Sequence, residues 1–218
     1  IKENVFGGGR LASVGIVMGI DSEGYPIVIQ IPDSEQGEET YGYTNVEVTG
    51  GTIGGNDVQL IDETHPRTGN VFGAGKGMLL DTIVNPKWEM LANVKGTDVT
   101  VGGNALVKSS VYGGSETGHV TNNTSVKIQG TAKIGADSLS QVKGSETLAL
   151  HRGNVYGGGC GMDSISYAGT QYIGGDTVVF MRKAGYVGGN TSVEMSGGTA
   201  FGNLYGGCEI TDVTGHAT

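Results

Sequence analysis

Five copies of one short phrase, [NS]-[VL]-[FY]-G-[GA], recur in a chain of 218 residues: "ENVFGGGR" at Glu3–Arg10, "GNVFGAGKG" at Gly69–Gly77, "SSVYGGSE" at Ser109–Glu116, "GNVYGGGCG" at Gly153–Gly161 and "GNLYGGCE" at Gly202–Glu209. A catalytic loop is needed once per domain, so a phrase used five times is architecture. A second phrase, T-x-V-x-[VIM], alternates with it: "TNVEV" from Thr44, "TDVTV" from Thr97, "TSVKI" from Thr124 and "TSVEM" from Thr191. Apolar and polar residues alternating at period two mark a strand with one buried face. That pattern points Val46, Val48, Val99, Val101, Val126, Ile128, Val193 and Met195 inward. The shortest full cycle, Val99 to Val126, is 27 residues. No segment carries a sustained helical period. A helix-free cycle of this length, with at least two short strands and glycine turns, reads as one coil of a β-solenoid. Successive coils would stack at about 4.8 Å, the spacing between paired strands.

The phrases also assign faces. Valine and the aromatic after it are neighbours in a strand, so they face opposite sides. Val5, Val71, Val111, Val155 and Leu204 are expected inside. Phe6, Phe72, Tyr112, Tyr156 and Tyr205 then form a column outside. Two readings of that column compete: an exposed stripe offered to a partner, with Phe72, Tyr112, Tyr156 and Tyr205 as candidate binding residues, or a covered one that is simply core. The glycines suit corners where φ is positive or where the next coil leaves no room for a side chain. Asn4, Asn70, Asn154 and Asn203 should lie above one another and form amide ladders, with Ser110 interrupting. Cys160 and Cys208 follow the same corner, 48 residues apart. A disulfide between them is one reading. Their registers differ by one residue, which would turn them to opposite faces and leave two free thiols.

The fold class expected is therefore all-β: a right-handed parallel β-helix (β-solenoid) filling residues 1–218 as a single domain. Five segments break the cycle: Leu11–Tyr43, Asn56–Arg67, Met78–Leu91, Ala136–Arg152 and Met162–Gly185. They read as insertions, gathered on one face. The first holds "VGIVMGIDSEGYPIVIQIP", two apolar runs around a turn, and predicts a projecting hairpin. "VTGHAT" at the end parallels "HVTNNTSV" at His119–Val126, so the chain reads as part of a longer repeat array.

Composition narrows the function classes. Glycine supplies 42 residues, charged residues are 16% and the net charge is −9. An acidic, charge-poor chain is a poor match for a phosphate backbone, so no nucleic-acid partner is expected. The longest apolar run, Leu11–Ile20, is too short to cross a bilayer.

The alternation in "GNTSVEMSGGTAFGNLYGGC" resembles large glycine-rich β-helix surface proteins of gut anaerobic bacteria, and the likeness covers nearly all of the chain outside the insertions. The resemblance implies an exported, extracellular or cell-surface protein with a non-catalytic structural or adhesive role, whose partners are a host or bacterial surface glycan or protein and the rest of the array. Four D-[ST]-apolar triplets, beginning at Asp81, Asp137, Asp163 and Asp176, look like the O-glycosylation acceptors of such bacteria.

Sharper motifs lose to the repeat. Gly73-Ala74-Gly75-Lys76 lacks the first glycine and the Ser/Thr of a phosphate loop. "GGCGMDSIS" at Gly158–Ser166 fits the calcium nonapeptide, but that site is built between tandem copies and one copy is present. The acidic run Asp33–Glu39 is a weaker calcium candidate, and no other cofactor is indicated. His65, His119, His151 and His216 share no metal spacing. The alternative function is a carbohydrate-active β-helix enzyme, a polysaccharide lyase or glycoside hydrolase. The densest cluster for it is Asp62, Glu63, His65 and Arg67. Ice binding would need outward threonine rows, whereas the repeat places Thr44, Thr97, Thr124 and Thr191 inward or at a corner.

Overall fold

The computed structural model describes residues 1–15, 17–20, 26–30, 42–55, 68–77, 92–135, 140–143, 146–149, 152–161, 164–166, 178–180 and 184–218. These residues form an all-β, solenoid-like stack of parallel strands, and none of them is helical. One sheet is built from the aromatic phrase: Val5–Phe6, Val71–Phe72, Val111–Tyr112, Val155–Tyr156 and Leu204–Tyr205, in that order. A second holds Tyr43–Val48, Gly96–Val101, Thr124–Ile128 and Thr191–Met195. The third holds Thr52–Ile53, Leu106–Val107, Lys133–Ile134 and Thr199–Ala200. Single parallel bridges join Val94, Val120, Val187 and Val213 in a fourth column, ahead of the second sheet. The chain visits these columns in turn and then climbs one coil.

The predicted register holds. Val46, Val99, Val126 and Val193 pair in sequence, as do Val48, Val101, Ile128 and Met195. The side chains of the first six of these eight to be threaded into the stack's middle are buried, and Val193 and Met195 pack against them half-buried. Val71, Val111 and Val155 close the same core from the first sheet. Period two gave no warning of Ile53, Val107 and Ile134, because a two-residue strand has no period to read. A second cluster, Ala74, Val94, Val120 and Val187, fills the corner beyond.

Of the two reasons expected for glycine at the corners, one column shows the steric one alone. Gly7, Gly73, Gly113 and Gly157 all have ordinary φ. A Cβ on any one of them would collide with the carbonyl oxygen of the next, or of Gly206 above Gly157. The column is thus a steric requirement alone, and positive φ plays no part in it.

The described ends of the insertions stand at two corners of the stack. The described residues on either side of three of them, Gly15 and Gly42, Gly77 and Ala92, and Gly161 and Ala184, lie between the first sheet and the valine-bridge column. Those on either side of the other two, Gly55 and Thr68, and Gly135 and Arg152, lie between the third sheet and the first. Left-handed residues stand at both ends of each: Gly15 and Gly42, Gly54 and Gly69, Gly77 and Ala92, Gly135 and Gly153, Gly161 and Gly185. The ends are pinched together. A Cβ on Gly54 would lie 2.9 Å from Gly69 Cα, and one on Gly135 would lie 2.7 Å from Gly153 Cα. The coil therefore closes as though nothing had been inserted. The hairpin predicted in the first insertion is present, with Val17–Ile20 antiparallel to Pro26–Gln30. Two further ribbons, Ser140–Lys143 with Glu146–Ala149 and Ser164–Ser166 with Val178–Phe180, carried no clear signal in sequence.

Candidate functional site

Strand register fixes the aromatic column. Phe6, Phe72, Tyr112, Tyr156 and Tyr205 stack with centroids 5.0, 4.8, 5.0 and 4.9 Å apart and planes within 11°. Isolated rings prefer offset or edge-on contacts. Here the in-register backbone sets the spacing, so the rings take the strand separation as their own. Of the two readings of the column, the covered one holds for its middle members. Phe72, Tyr112 and Tyr156 are 2, 4 and 5% exposed and form a cluster of their own with Phe6 and Cys160. Tyr205, in the last coil, is 43% exposed.

Glu209 caps the buried rings. Tyr112 donates its hydroxyl to Glu209 Oε2 at 2.7 Å, Tyr156 donates to Oε1 at 3.0 Å, and the Cys160 thiol donates to Oε2 at 3.3 Å. Burial, together with the neighbouring Cys160 and Glu209, holds the Tyr112 hydroxyl well above its ordinary range. Burial and Glu209 likewise raise Tyr156 and Cys160. One carboxylate thus serves three protonated groups from the two coils beneath it.

The disulfide reading is corrected. Cys160 and Cys208 are both free. Cys160 sits with the aromatic column, whereas Cys208 packs against the valine-bridge cluster and accepts from Gly159 N at 3.2 Å. Backbone bonds from Glu209 N to Gly159 O and from Ile210 N to Cys160 O place Glu209, not Cys208, over Cys160. The one-residue offset turned the two sulfurs to opposite faces, and burial pushes the Cys208 thiol up to about 11.

Asn4, Asn70, Asn154 and Asn203 do lie in one column, and the side-chain oxygens of the first three accept from the backbone of the next coil. Asn70 N donates to Asn4 Oδ1 at 2.9 Å, Ser110 N to Asn70 Oδ1 at 3.0 Å and Asn203 N to Asn154 Oδ1 at 2.9 Å. Ser110 continues the column, its Oγ accepting from Asn154 N at 3.4 Å. The threonines are inward. Thr44, Thr97 and Thr124 donate to the carbonyls of Gly73, Gly113 and Gly157 at 2.6, 2.5 and 2.5 Å. This ties the second sheet to the glycine column.

A second asparagine column escaped the sequence reading. Asn190 N donates to Asn123 Oδ1, and His216 N to Asn190 Oδ1, each at 2.8 Å. These residues line an open groove of about 320 Å³ that crosses the coils along the stack. Its floor includes Asp98, Ser125 and Ser192, which are register partners, and Tyr43 stands at one end. The only sequence signal was an asparagine before two of the four T-x-V strands, Asn123 and Asn190, which any solvated corner also shows.

Several other candidates lie outside the described residues: Asp62, Glu63, His65 and Arg67, the run Asp33–Glu39, His151, and all four aspartates of the D-[ST]-apolar triplets. So do Met162 and Asp163 of the calcium-like nonapeptide. Among the described residues, no three His, Cys, Asp or Glu side chains converge to hold a metal ion. His119 packs edge-on against Tyr186, with ring centres 6.3 Å apart. Lys76 of the glycine-lysine segment lies 3.8 Å from Glu116. No known protein family, curated protein or solved structure matches the chain.

Proposed function

We propose that the chain is a non-catalytic structural and adhesive segment of an exported bacterial surface protein, and that it belongs to a longer repeat array. In this reading the stack is a right-handed parallel β-helix. Parallel strands joined by a crossover in one sheet turn right-handed almost without exception, and every coil here is such a crossover. The observation that carries the functional reading is the pinched closure at three of the insertions, Gly54 with Gly69, Gly135 with Gly153 and Gly161 with Gly185. Gly161 and Gly185 meet so closely that a Cβ on Gly185 would lie 2.8 Å from Gly161 Cα, although 23 residues separate them. A framework that keeps its register under any insert is built to display the inserts. Its partners would be a surface glycan or protein.

The enzymatic alternative needs two carboxylates flanking a bond, or a base beside a bound uronate. Among the described residues, the groove is lined by one carboxylate, Asp98. Two measurements test the proposal. Incubation with pectate, xylan and β-glucan should release no new reducing ends and no unsaturated uronate absorbance, and steady product formation would overturn the non-catalytic role. Replacing residues 161–185 with their third-coil counterparts, Thr117-Gly118, should leave the melting transition in place. Loss of the cooperative fold would overturn the display role.

A further inference from the structure

We infer that the groove along the stack is a binding site for a neutral, extended glycan chain. The inference rests on the proposed surface role and gives it a ligand class and a place. Three rows run parallel to the stack axis, and each is fixed by strand register. In the first, the Oδ1 atoms of Asn123 and Asn190 are occupied by backbone N–H groups from the next coil at 2.8 Å. An amide whose oxygen is tied to the framework presents its NH₂ in a fixed direction, so two donors stand about 4.8 Å apart at the groove's edge. In the second row, Asp98, Ser125 and Ser192 supply a carboxylate and two hydroxyls at the same interval. The third is the row of Thr97, Thr124 and Thr191, whose side chains are turned inward and leave a smooth floor.

The chemistry of this lining selects the ligand. It contains no Lys or Arg and one acidic group, on a chain of net charge −9, so phosphate, sulfate and uronate polymers are disfavoured. Every lining residue carries a hydrogen-bonding group, while their carbon atoms and the Tyr43 ring supply apolar area, the mixed surface that suits the polar edge and apolar face of a sugar ring. Sugar hydroxyls both donate and accept, and they match NH₂ donors facing a carboxylate and hydroxyls. The repeat of the donors from coil to coil favours a polymer over a single ring. Tyr43 forms the end wall. Its hydroxyl accepts from Asn122 Nδ2 at 3.3 Å, and Lys95 Nζ lies 5.6 Å from its ring centre.

The test is affinity electrophoresis of the whole chain through gels containing β-glucan, mannan or xylan, with polygalacturonate as the charged control. Retardation by at least one neutral polymer is expected. Ser125→Trp, at the centre of the middle row, should weaken it at least about tenfold by filling the groove. Asn190→Asp keeps the acceptor for His216 N but removes the NH₂ donor, and should weaken it with the melting temperature unchanged. This second variant decides the matter if Ser125→Trp fails to fold. No retardation by any neutral polymer overturns the inference, as does retardation by polygalacturonate alone. Retardation that persists undiminished in the folded variants overturns the groove as the site, while the wider surface role stands.

Discussion

Gly113 and Gly51 are the same residue for opposite reasons. Gly113 has an ordinary backbone and no space: a Cβ would strike the carbonyl of Gly157 and sit 3.0 Å from Val126 Cγ2. Gly51 has a left-handed backbone, with φ at 76°, and open space, with nothing within 4 Å of a Cβ. The first belongs to the interior of the stack, where each position answers to the coils above and below. The second belongs to an open corner away from the insertions, where only the local turn matters. A chain rich in glycine is therefore not uniformly soft, because part of its glycine is packing and part is bending.

The largest expected effect is at the packed column. Gly113→Ala should cost more than about 4 kcal/mol in urea unfolding or abolish the cooperative transition, since the obstacle is backbone on a rigid neighbour rather than a flexible side chain. A loss no greater than that of Gly51→Ala would break the distinction between the two regions.

Next comes the coupling between coils. Glu209, in the last coil, holds Tyr156 one coil down and Tyr112 two coils down. Glu209→Leu strands two buried hydroxyls and the Cys160 thiol. A loss of about 2 kcal/mol is expected, the desolvation cost of unpaired polar groups. Unchanged stability would mean that the column is held by ring stacking and burial alone.

Alkaline pH probes the same interior. Tyr112, Tyr156, Cys160 and Cys208 all have raised native pKa values. In the unfolded chain, cysteine releases its proton near about pH 8.5 and tyrosine near about pH 10. Above those values the unfolded state holds fewer protons than the native one, so stability falls as pH rises. The melting temperature should be level from pH 7 to 8 and then decline, more steeply beyond about pH 10. Alkylation should be slow in the native protein, because little thiolate is present, and should add two groups after denaturation.

The coil and its register were legible because each repeats. Five copies of one phrase average out local accident, and the T-x-V strands are long enough to show period two. What does not repeat in phase was hidden. Whether the aromatic column is covered depends on what lies outside it, and no property of Tyr112 itself reports that. Cys160 and Cys208 looked equivalent in phrase, and the one-residue offset decided their faces. The groove arises from rows that exist only across coils, at spacings of 27, 67 and 26 residues in the chain, so no window along the sequence contains it.

Corners give the smaller effects. Gly51→Ala should cost about 1 kcal/mol, the penalty for a Cβ in the left-handed region with no clash added. A cost near that of Gly113→Ala would show that corners are packed as tightly as the column.

Ala92 tests where the two regions meet. Its φ is 56°, and it is the one described non-glycine residue with positive φ. It closes the insertion that begins after Gly77, in the position that Gly185 fills for the insertion of residues 162–183. By the logic of corners, Ala92→Gly should stabilise the protein by about 1 kcal/mol through relief of the left-handed strain. Yet Ala92 is fully buried, and its methyl lies between Gly75 and Gly118: a Cβ on Gly75 would sit 2.9 Å from it, and one on Gly118 3.1 Å. By the logic of the interior, deleting that methyl removes about 0.8 kcal/mol of burial, and glycine's extra freedom in the unfolded chain costs up to about 1 kcal/mol more. The terms oppose and nearly cancel, so the expected change is a loss of less than about 1 kcal/mol, read from the urea midpoint at constant m-value. A clear gain would assign the insertion ends wholly to turn chemistry. A loss of several kcal/mol would assign Ala92 to the packed column and move the border between the two regions outward by one residue.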